Sequence, residues 1–259
     1  MTVISADRLR GEFCERFRVL DNECDYHGNL TCGGLMRICQ QIASDHCTPL
    51  GLTPEYYEQT HTAWVLTKSA LEISRTPRWG ETLTVLTRPQ NIKRAVFKRL
   101  VEIYDEDGSE VAALDGRWVL LDTQKGSILR HLPENYHELG FPDDVARELD
   151  QTIPRAADAE PVFTMRASYS LCDTNRHLNN THYADIVCDA LPDDALETNR
   201  IARLAISFKR EIHYGARFTV SREQLEDGTW CVEGESIDPE TGKTIQHFTA
   251  AATLAPLSD

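Results

Sequence analysis

Two stretches of the chain decide its architecture. Leu71-Glu-Ile-Ser-Arg-Thr-Pro-Arg-Trp-Gly80, followed by Leu83-Thr-Val85, is echoed by Ile206-Ser-Phe-Lys-Arg-Glu-Ile-His-Tyr-Gly215, followed by Phe218-Thr-Val220, at an offset of 135 residues. The turn at Asp105 to Gly108 has a counterpart at Asp238 to Gly242, and Cys24-Asp25 and Cys172-Asp173 head the two units 148 residues apart. The change of offset implies insertions in the first copy. The order of elements around these anchors repeats as well, which is the mark of a duplicated unit.

In the first unit, Glu12 to Leu20 reads as extended. Gly34 to Cys47 carries Leu35, Ile38, Cys39 and Ile42 at helical spacing. Strands are expected at Ala63–Ser74, Glu81–Thr87, Ala95–Tyr104 and Glu110–Asp122. In the second unit a helix over Asn180–Leu191, stopped by Pro192, precedes strands at Leu204–Arg210, Arg217–Gln224, Thr229–Ile237 and Thr244–Leu254. Several strands are apolar on both faces, so each needs a helix on one side and a second cover on the other. Thr123 to Glu160 interrupts the pattern with Pro133, Pro142, Pro154 and Asp143-Asp144. It reads as a surface linker, helical near Val145 to Leu149. The division is therefore 1–122, a linker 123–160, and 161–259. Each half is long enough to bury a core.

Composition narrows the function. The chain has 259 residues, 41% hydrophobic and 26% charged, with a net charge of −14. Such a field does not favour nucleic acid or an anionic membrane face. No apolar run is long enough to span a bilayer, and Met1 to Arg10 has no secretory core. Cys14, Cys24, Cys32, Cys39, Cys47, Cys172, Cys188 and Cys231 include no CxxC pair. They read as buried apolar residues of a reducing cytosol.

The chemistry gathers in Cys172-Asp173-Thr-Asn175-Arg-His177-Leu-Asn179-Asn180-Thr-His-Tyr183. Were this segment extended, Asp173, Asn175 and His177 would share one face, with Asn179 or Asn180 capping the helix that follows. It reads equally as a polar turn ending in a helix cap. Drawn as a metal set, His177, His182, Asp173 and Glu211 match no standard zinc spacing, so no metal is expected. Walker, GxGxxG and HExxH patterns are absent, and no cofactor is expected.

Asp-x-Asn-x-His-x-Asn-Asn-x-x-Tyr resembles the signature of the acyl-acyl carrier protein thioesterases, of the plant FatA/FatB and bacterial type. Ile206-Ser-Phe-Lys-Arg-Glu211 is similar to that family's strand ending in Tyr-Arg-Arg-Glu. Ala63-Trp-Val-Leu66, the run Arg75-x-Pro77-x-Trp79-Gly80 to Val85, and Trp118-Val-Leu-Leu-Asp122 match in order. The resemblance implies an α+β double hotdog, two tandem units each with a central helix wrapped by an antiparallel sheet. It implies hydrolysis of fatty acyl-acyl carrier protein to free fatty acid in a bacterial cytosol. Acyl carrier protein would be the partner, and the chain a monomer or homodimer.

Residue by residue, the resemblance makes Asp173, Asn175, His177 and Glu211 the catalytic group. Glu211 suits a general base for water and His177 a proton partner or carbonyl polariser; how they divide the work is open. Many plant members carry Cys after this Glu; here Ile212 follows, which has no nucleophilic atom. In the first unit Asp25-Tyr-His27-Gly-Asn29 has the same residue types with His and Asn exchanged, and Thr76 matches Glu211. That copy reads as degenerate, its cavity given to the acyl chain, with Leu35, Met36, Ile38, Ile42, Trp64, Leu66 and Trp118 as wall. Against an acidic carrier, a basic patch is expected among Lys93, Arg94, Lys98, Arg99, Lys209 and Arg210. Two other functions fit the same fold: a hotdog acyl-CoA thioesterase, and a non-catalytic hotdog that binds acyl groups as a sensor.

Overall fold

A computed structural model describes residues 11–90, 95–130, 136, 139, 141–143 and 147–257. The first unit runs β1 (Phe13–Arg18), α1 (Cys32–Cys47), α2 (Pro54–Thr60), β2 (Thr62–Ile73), β3 (Thr82–Pro89), β4 (Phe97–Tyr104), β5 (Glu110–Asp122) and the short β6 (Ser127–Ile128). The second runs β7 (Glu160–Arg166), α3 (His182–Asp189), α4 (Ala195–Thr198), β8 (Asn199–Phe208), β9 (Arg217–Gln224), β10 (Trp230–Ile237) and β11 (Thr244–Pro256). The strands form one antiparallel sheet in the order β1-β3-β4-β5-β2-β8-β11-β10-β9-β7, with β6 beside β5.

The repeat is visible in the register of the central joint. β2 meets β8 with Ala70 opposite Ala205 and Leu71 opposite Leu204. Ala70 and Ala205 are the same position of the repeat, so the units are related by a pseudo-two-fold axis through this pair. Both alanines are fully buried. The change of offset has its source in helical structure: α1 has 16 residues and α3 only 8, and α2, before β2, has 7 where α4, before β8, has 4. The second helix is shorter than the Asn180–Leu191 expected from sequence.

The helices lie in the hollow of the sheet. Thr31 caps α1, its hydroxyl accepting the Gly34 N–H at 2.9 Å, an arrangement that stabilises by about 1 kcal/mol. Leu35, Met36, Cys39 and Ile42 form its buried stripe. One hydrophobic core contains this stripe together with Tyr183, Ile186 and Val187 of α3. The two helices touch directly. The Gly33 N–H donates to Asp185 Oδ1 at 3.0 Å, and Arg37 donates to Asp185 Oδ2 at 3.0 Å and to Glu23 at 2.6 Å. Burial raises the cost of the Asp185 charge, but the bonds from His182, Arg37 and Gly33 outweigh it and hold its pKa below the usual range.

The expected second cover is the linker. Val111 to Gly116 is buried on both faces of β5. On the outer face Leu149 packs against Ala70 and Ala113. The Leu149 N–H and the Gln151 side chain bond the Asp115 carboxylate and carbonyl at 3.2 and 3.0 Å, and Arg117 pairs with the same carboxylate at 2.7 Å. Further along, Arg203 donates to the carbonyls of Asp150 and Thr152. The expected helix near Val145–Leu149 is not found over Arg147–Leu149, which has no regular secondary structure and bonds to the sheet through the Arg147 side chain and the Leu149 N–H; residues 144–146 lie outside the described residues.

Candidate active site

The signature segment is a tight turn, not the extended strand considered above. A 3-10 turn at Tyr169–Leu171 leads into it, and Cys172 pairs back on Leu178. The Asp173 carboxylate accepts the backbone N–H groups of Asn175 at 2.8 Å and His177 at 3.4 Å, while the Asp173 N–H donates to the His177 carbonyl at 2.9 Å. Arg176 is left-handed, with φ 62°. Asn179 accepts from the Thr181 N–H at 3.0 Å and hydroxyl at 2.8 Å, just ahead of α3.

The strand end that carries Glu211 is laced to this turn. The Leu178 N–H donates to the Ile212 carbonyl and the Tyr214 N–H to the Arg176 carbonyl, both at 2.8 Å. His177 thereby pairs with His213 as an isolated bridge. Alternation does the rest. Ile212 is fully buried, so Glu211 and His213 face the other way. The rings of His177 and His213 meet edge to face at 4.4 Å. One nitrogen or oxygen from each of His177, Glu211 and His213 lies within 4.8 Å of the other two. Beneath the strand end, buried His247 supports it. Its Nδ1–H donates to the Arg210 carbonyl at 3.2 Å, and the Ser236 hydroxyl donates to its Nε2 at 2.9 Å.

The first unit reproduces this frame with other side chains. The Asp25 carboxylate accepts the N–H groups of His27 and Asn29, both at 2.9 Å. The Leu30 N–H bonds the Pro77 carbonyl, the Trp79 N–H bonds the Gly28 carbonyl, and Asn29 pairs with Arg78. The positions of His177, Glu211 and His213 are thus taken by Asn29, Thr76 and Arg78. His27 sits where the second unit has Asn175; its Nε2 lies 3.2 Å from Glu197, which also accepts from Tyr26 at 2.6 Å. Gly28, with φ 78°, fills the left-handed position that Arg176 holds in the second copy.

A cleft of about 590 Å³ lies between α1 and the signature turn, with Phe17, Leu30, Ile38, Leu171 and Asp173 in its wall. A second, small hollow of about 20 Å³ is lined by Asn180, Thr181, Met36, Leu66 and Trp118. Arg99 lies in its wall too, its guanidinium bonded to His46 and Thr87 at 3.0 Å. Of the expected wall residues, Leu35 and Ile42 are fully buried core. Trp64 belongs to a separate cluster, edge-on to Phe97 at 4.4 Å and donating to the Tyr57 hydroxyl at 3.1 Å.

The basic residues separate in the same way. Lys98 and Arg99 point to opposite faces of β4, Lys98 to Glu148 of the linker and Arg99 inward. Each is committed within the chain. Lys93 and Arg94 lie outside the described residues. Lys209 and Arg210 are exposed beside Glu211. Arg166 and Arg176 add to them, placed over the Tyr214 ring at 5.6 and 6.0 Å. The three thiols of the second unit are poor nucleophiles. Burial, then the Asp173 charge, pushes Cys172 up; the bond with Cys32, then burial, does so for Cys188; burial leads for Cys231. A raised pKa keeps the reactive thiolate scarce.

Two hotdog units fused through one sheet, with His177, Glu211 and His213 brought together in only one of them, define a double-hotdog protein. The chain belongs to the acyl-ACP thioesterase family: the N-terminal domain of that family matches residues 11–139 and its C-terminal domain residues 156–251. It is 24% identical over 233 residues to the chloroplastic acyl-[acyl-carrier-protein] hydrolase FATB3 of Cuphea viscosissima, covering 77% of this chain and 52% of that protein. It is 22% identical over 217 residues to oleoyl-acyl carrier protein thioesterase 1 of Arabidopsis thaliana, covering 76% and 59%. The chain thus spans between half and three-fifths of these curated relatives. In fold it is similar to an acyl-ACP thioesterase from Bacteroides thetaiotaomicron, with a TM-score of 0.83 at 21% identity over 97% of this chain and all of that one. The 12:0-ACP thioesterase from Umbellularia californica gives 0.82 at 17% identity over 99% and 100%.

The sequence reading missed His213. Its pairing with His177 crosses between two segments far apart in the chain, which spacing within one motif does not reveal. The signal available was its place two residues after Glu211, on the same face of an extended segment. Among the described residues no helix is long and apolar enough to cross a membrane.

Proposed function

We propose that this chain hydrolyses the thioester of fatty acyl-acyl carrier protein and releases free fatty acid. The observation that carries the reading is the asymmetry of the two corners: the same backbone frame bears Glu211 and His177 in one unit and Thr76 and Asn29 in the other. A binding module would have no need of a base and an imidazole brought together on one face. Water attacks the thioester carbonyl as Glu211 takes its proton. His177 and Asn175 donate to the oxygen on which charge develops. Collapse breaks the C–S bond, and the proton held by Glu211 passes to the departing sulfur. Asp173 holds the turn that presents these groups. The acyl chain enters the first unit between α1 and the sheet, by the hollow that Asn180 lines. Exposed Lys209, Arg210, Arg166 and Arg176 supply the local positive field through which an acidic carrier approaches a chain of net charge −14. Eight scattered cysteines with no CxxC pair accord with a reducing cytosol.

Hydrolysis of acyl-carrier protein and of acyl-CoA, each followed by thiol release, tests the reading. The carrier-protein substrate is expected to give the higher kcat/KM. Glu211→Gln, with an unchanged circular dichroism spectrum, is expected to lose roughly 10²–10⁴-fold in kcat. Replacing Cys172, Cys188 and Cys231 is expected to spare most of the rate. Near-normal turnover by Glu211→Gln, or an acyl-cysteine trapped on rapid quench, would overturn the mechanism. Preference for acyl-CoA would redirect the substrate, and binding without turnover would leave the sensor.

A further inference from the structure

The reaction above leaves His213 without a task, although its ring stands against His177. With Glu211 it makes a set of two imidazoles and one carboxylate whose ligand atoms lie within 4.8 Å of one another. Two nitrogens and an oxygen on three side chains, with the remaining directions open to solvent, suit Zn²⁺. Calcium and magnesium prefer all-oxygen shells and are served poorly by imidazole. Zinc bonds of about 2.0–2.2 Å bring tetrahedral ligands to roughly 3.3 Å of one another, a closure on the order of 1 Å. Glu211 and His213 are exposed and can turn; His177 is held by its turn and supplies the fixed point. The first unit offers a comparison within the same chain. Its corner has Thr76, Asn29 and Arg78, a guanidinium in place of an imidazole.

We infer that His177, Glu211 and His213 form a site for a divalent transition cation, best matched by Zn²⁺, and that its occupancy blocks hydrolysis. The blocking half rests on the proposed function. The Glu211 lone pair that would take the proton of water is one a metal would hold, and a His177 nitrogen bound to a metal cannot donate to the substrate oxygen. Lys209 and Arg210 stand next to the corner and oppose a cation, which sets the affinity below that of a closed structural site.

The experiment uses the full chain stripped with EDTA and titrated with Co²⁺, a visible reporter of zinc sites. One equivalent is expected, with the d–d bands of a four- or five-coordinate nitrogen–oxygen shell, no thiolate charge-transfer band, and displacement by Zn²⁺. His213→Ala is expected to weaken binding on the order of 10²-fold or more, since loss of even an outer partner of a metal ligand costs 10–100-fold. Glu211→Gln is expected to weaken it too, and His27→Ala to leave it unchanged. In the thiol-release assay Zn²⁺ is expected to suppress wild-type hydrolysis, reversibly with EDTA, and to suppress the residual rate of His213→Ala far less. No bound Co²⁺, a thiolate band, or equal affinity in His213→Ala overturns the site. Bound zinc with an undiminished rate overturns the blocking. A chain inactive on every thioester before zinc is added defeats the proposed function, while the Co²⁺ spectrum still decides the site.

Discussion

Gly33→Ala is a one-methyl change whose effect should reverse sign with its background. A Cβ at Gly33 would fall 2.0–2.2 Å from the Asp185 carboxylate atoms, well inside contact distance. The carboxylate must leave, and with it go the bonds from the Gly33 N–H and Arg37, each 3.0 Å. Bonds to a charged group contribute roughly 1.5–3 kcal/mol each when partly buried. Exchanging Gly for Ala in a helix returns up to about 1 kcal/mol. The expected net loss is about 2–6 kcal/mol, on the order of 5–20 °C in melting temperature for a chain of this size. With Asp185→Ala already in place there is no carboxylate to displace. Gly33→Ala should then be neutral, or stabilising by up to about 1 kcal/mol. The assay is a double-mutant cycle in urea, and the expected coupling is about 2 kcal/mol or more. Additive effects of the two substitutions would show that Asp185 does not join the helices in solution, and the reasoning would fail.

The duplicated corner gives an internal control: His177→Ala should cost on the order of 10²-fold in turnover, and His27→Ala no more than a few-fold, since it loses only an exposed contact with Glu197; equal losses would mean the units are assigned wrongly. Burial lowers the His247 pKa below its usual value. The unfolded chain therefore binds a proton near pH 6.5 that the native state refuses, and stability should fall as pH drops below about 6.5. Melting curves from pH 7.5 to 5 should show a shallower decline in His247→Gln, and parallel declines would refute the assignment.

The repeat was legible because Ile206 to Gly215 and Leu71 to Gly80 keep their order through two copies, and strands Glu110–Asp122 and Arg217–Gln224 have the bounds expected from alternation. β7 was not singled out. Its pairing with β9 leaves it mostly exposed at the sheet edge, with little apolar pattern to betray it. Arg147 to Leu149 reads as helical in the sequence because Arg and Leu are good helix formers. Tertiary bonds to Glu110, Glu72 and Asp115 override that preference. In the corner, Asp173, Asn175, His177 and Glu211 are nameable from two separate stretches of sequence. The meeting of His177 with Glu211 is not, since it depends on two backbone bonds at Ile212 and Arg176 that join those stretches.

The joint at Ala70 and Ala205 changes how the protein can vary. Two separate subunits meeting this way would be in mass-action balance, parting on dilution. Any alteration in one would appear in the other, because both are copies of one gene product. Here the connection is covalent, so the pairing is a first-order event whose equilibrium does not depend on concentration. Each half also has its own codons. The corner at Asn29, Thr76 and Arg78 can therefore drift without harm to the one at His177, Glu211 and His213, and the molecule has a front and a back where a symmetric dimer would have two identical sides.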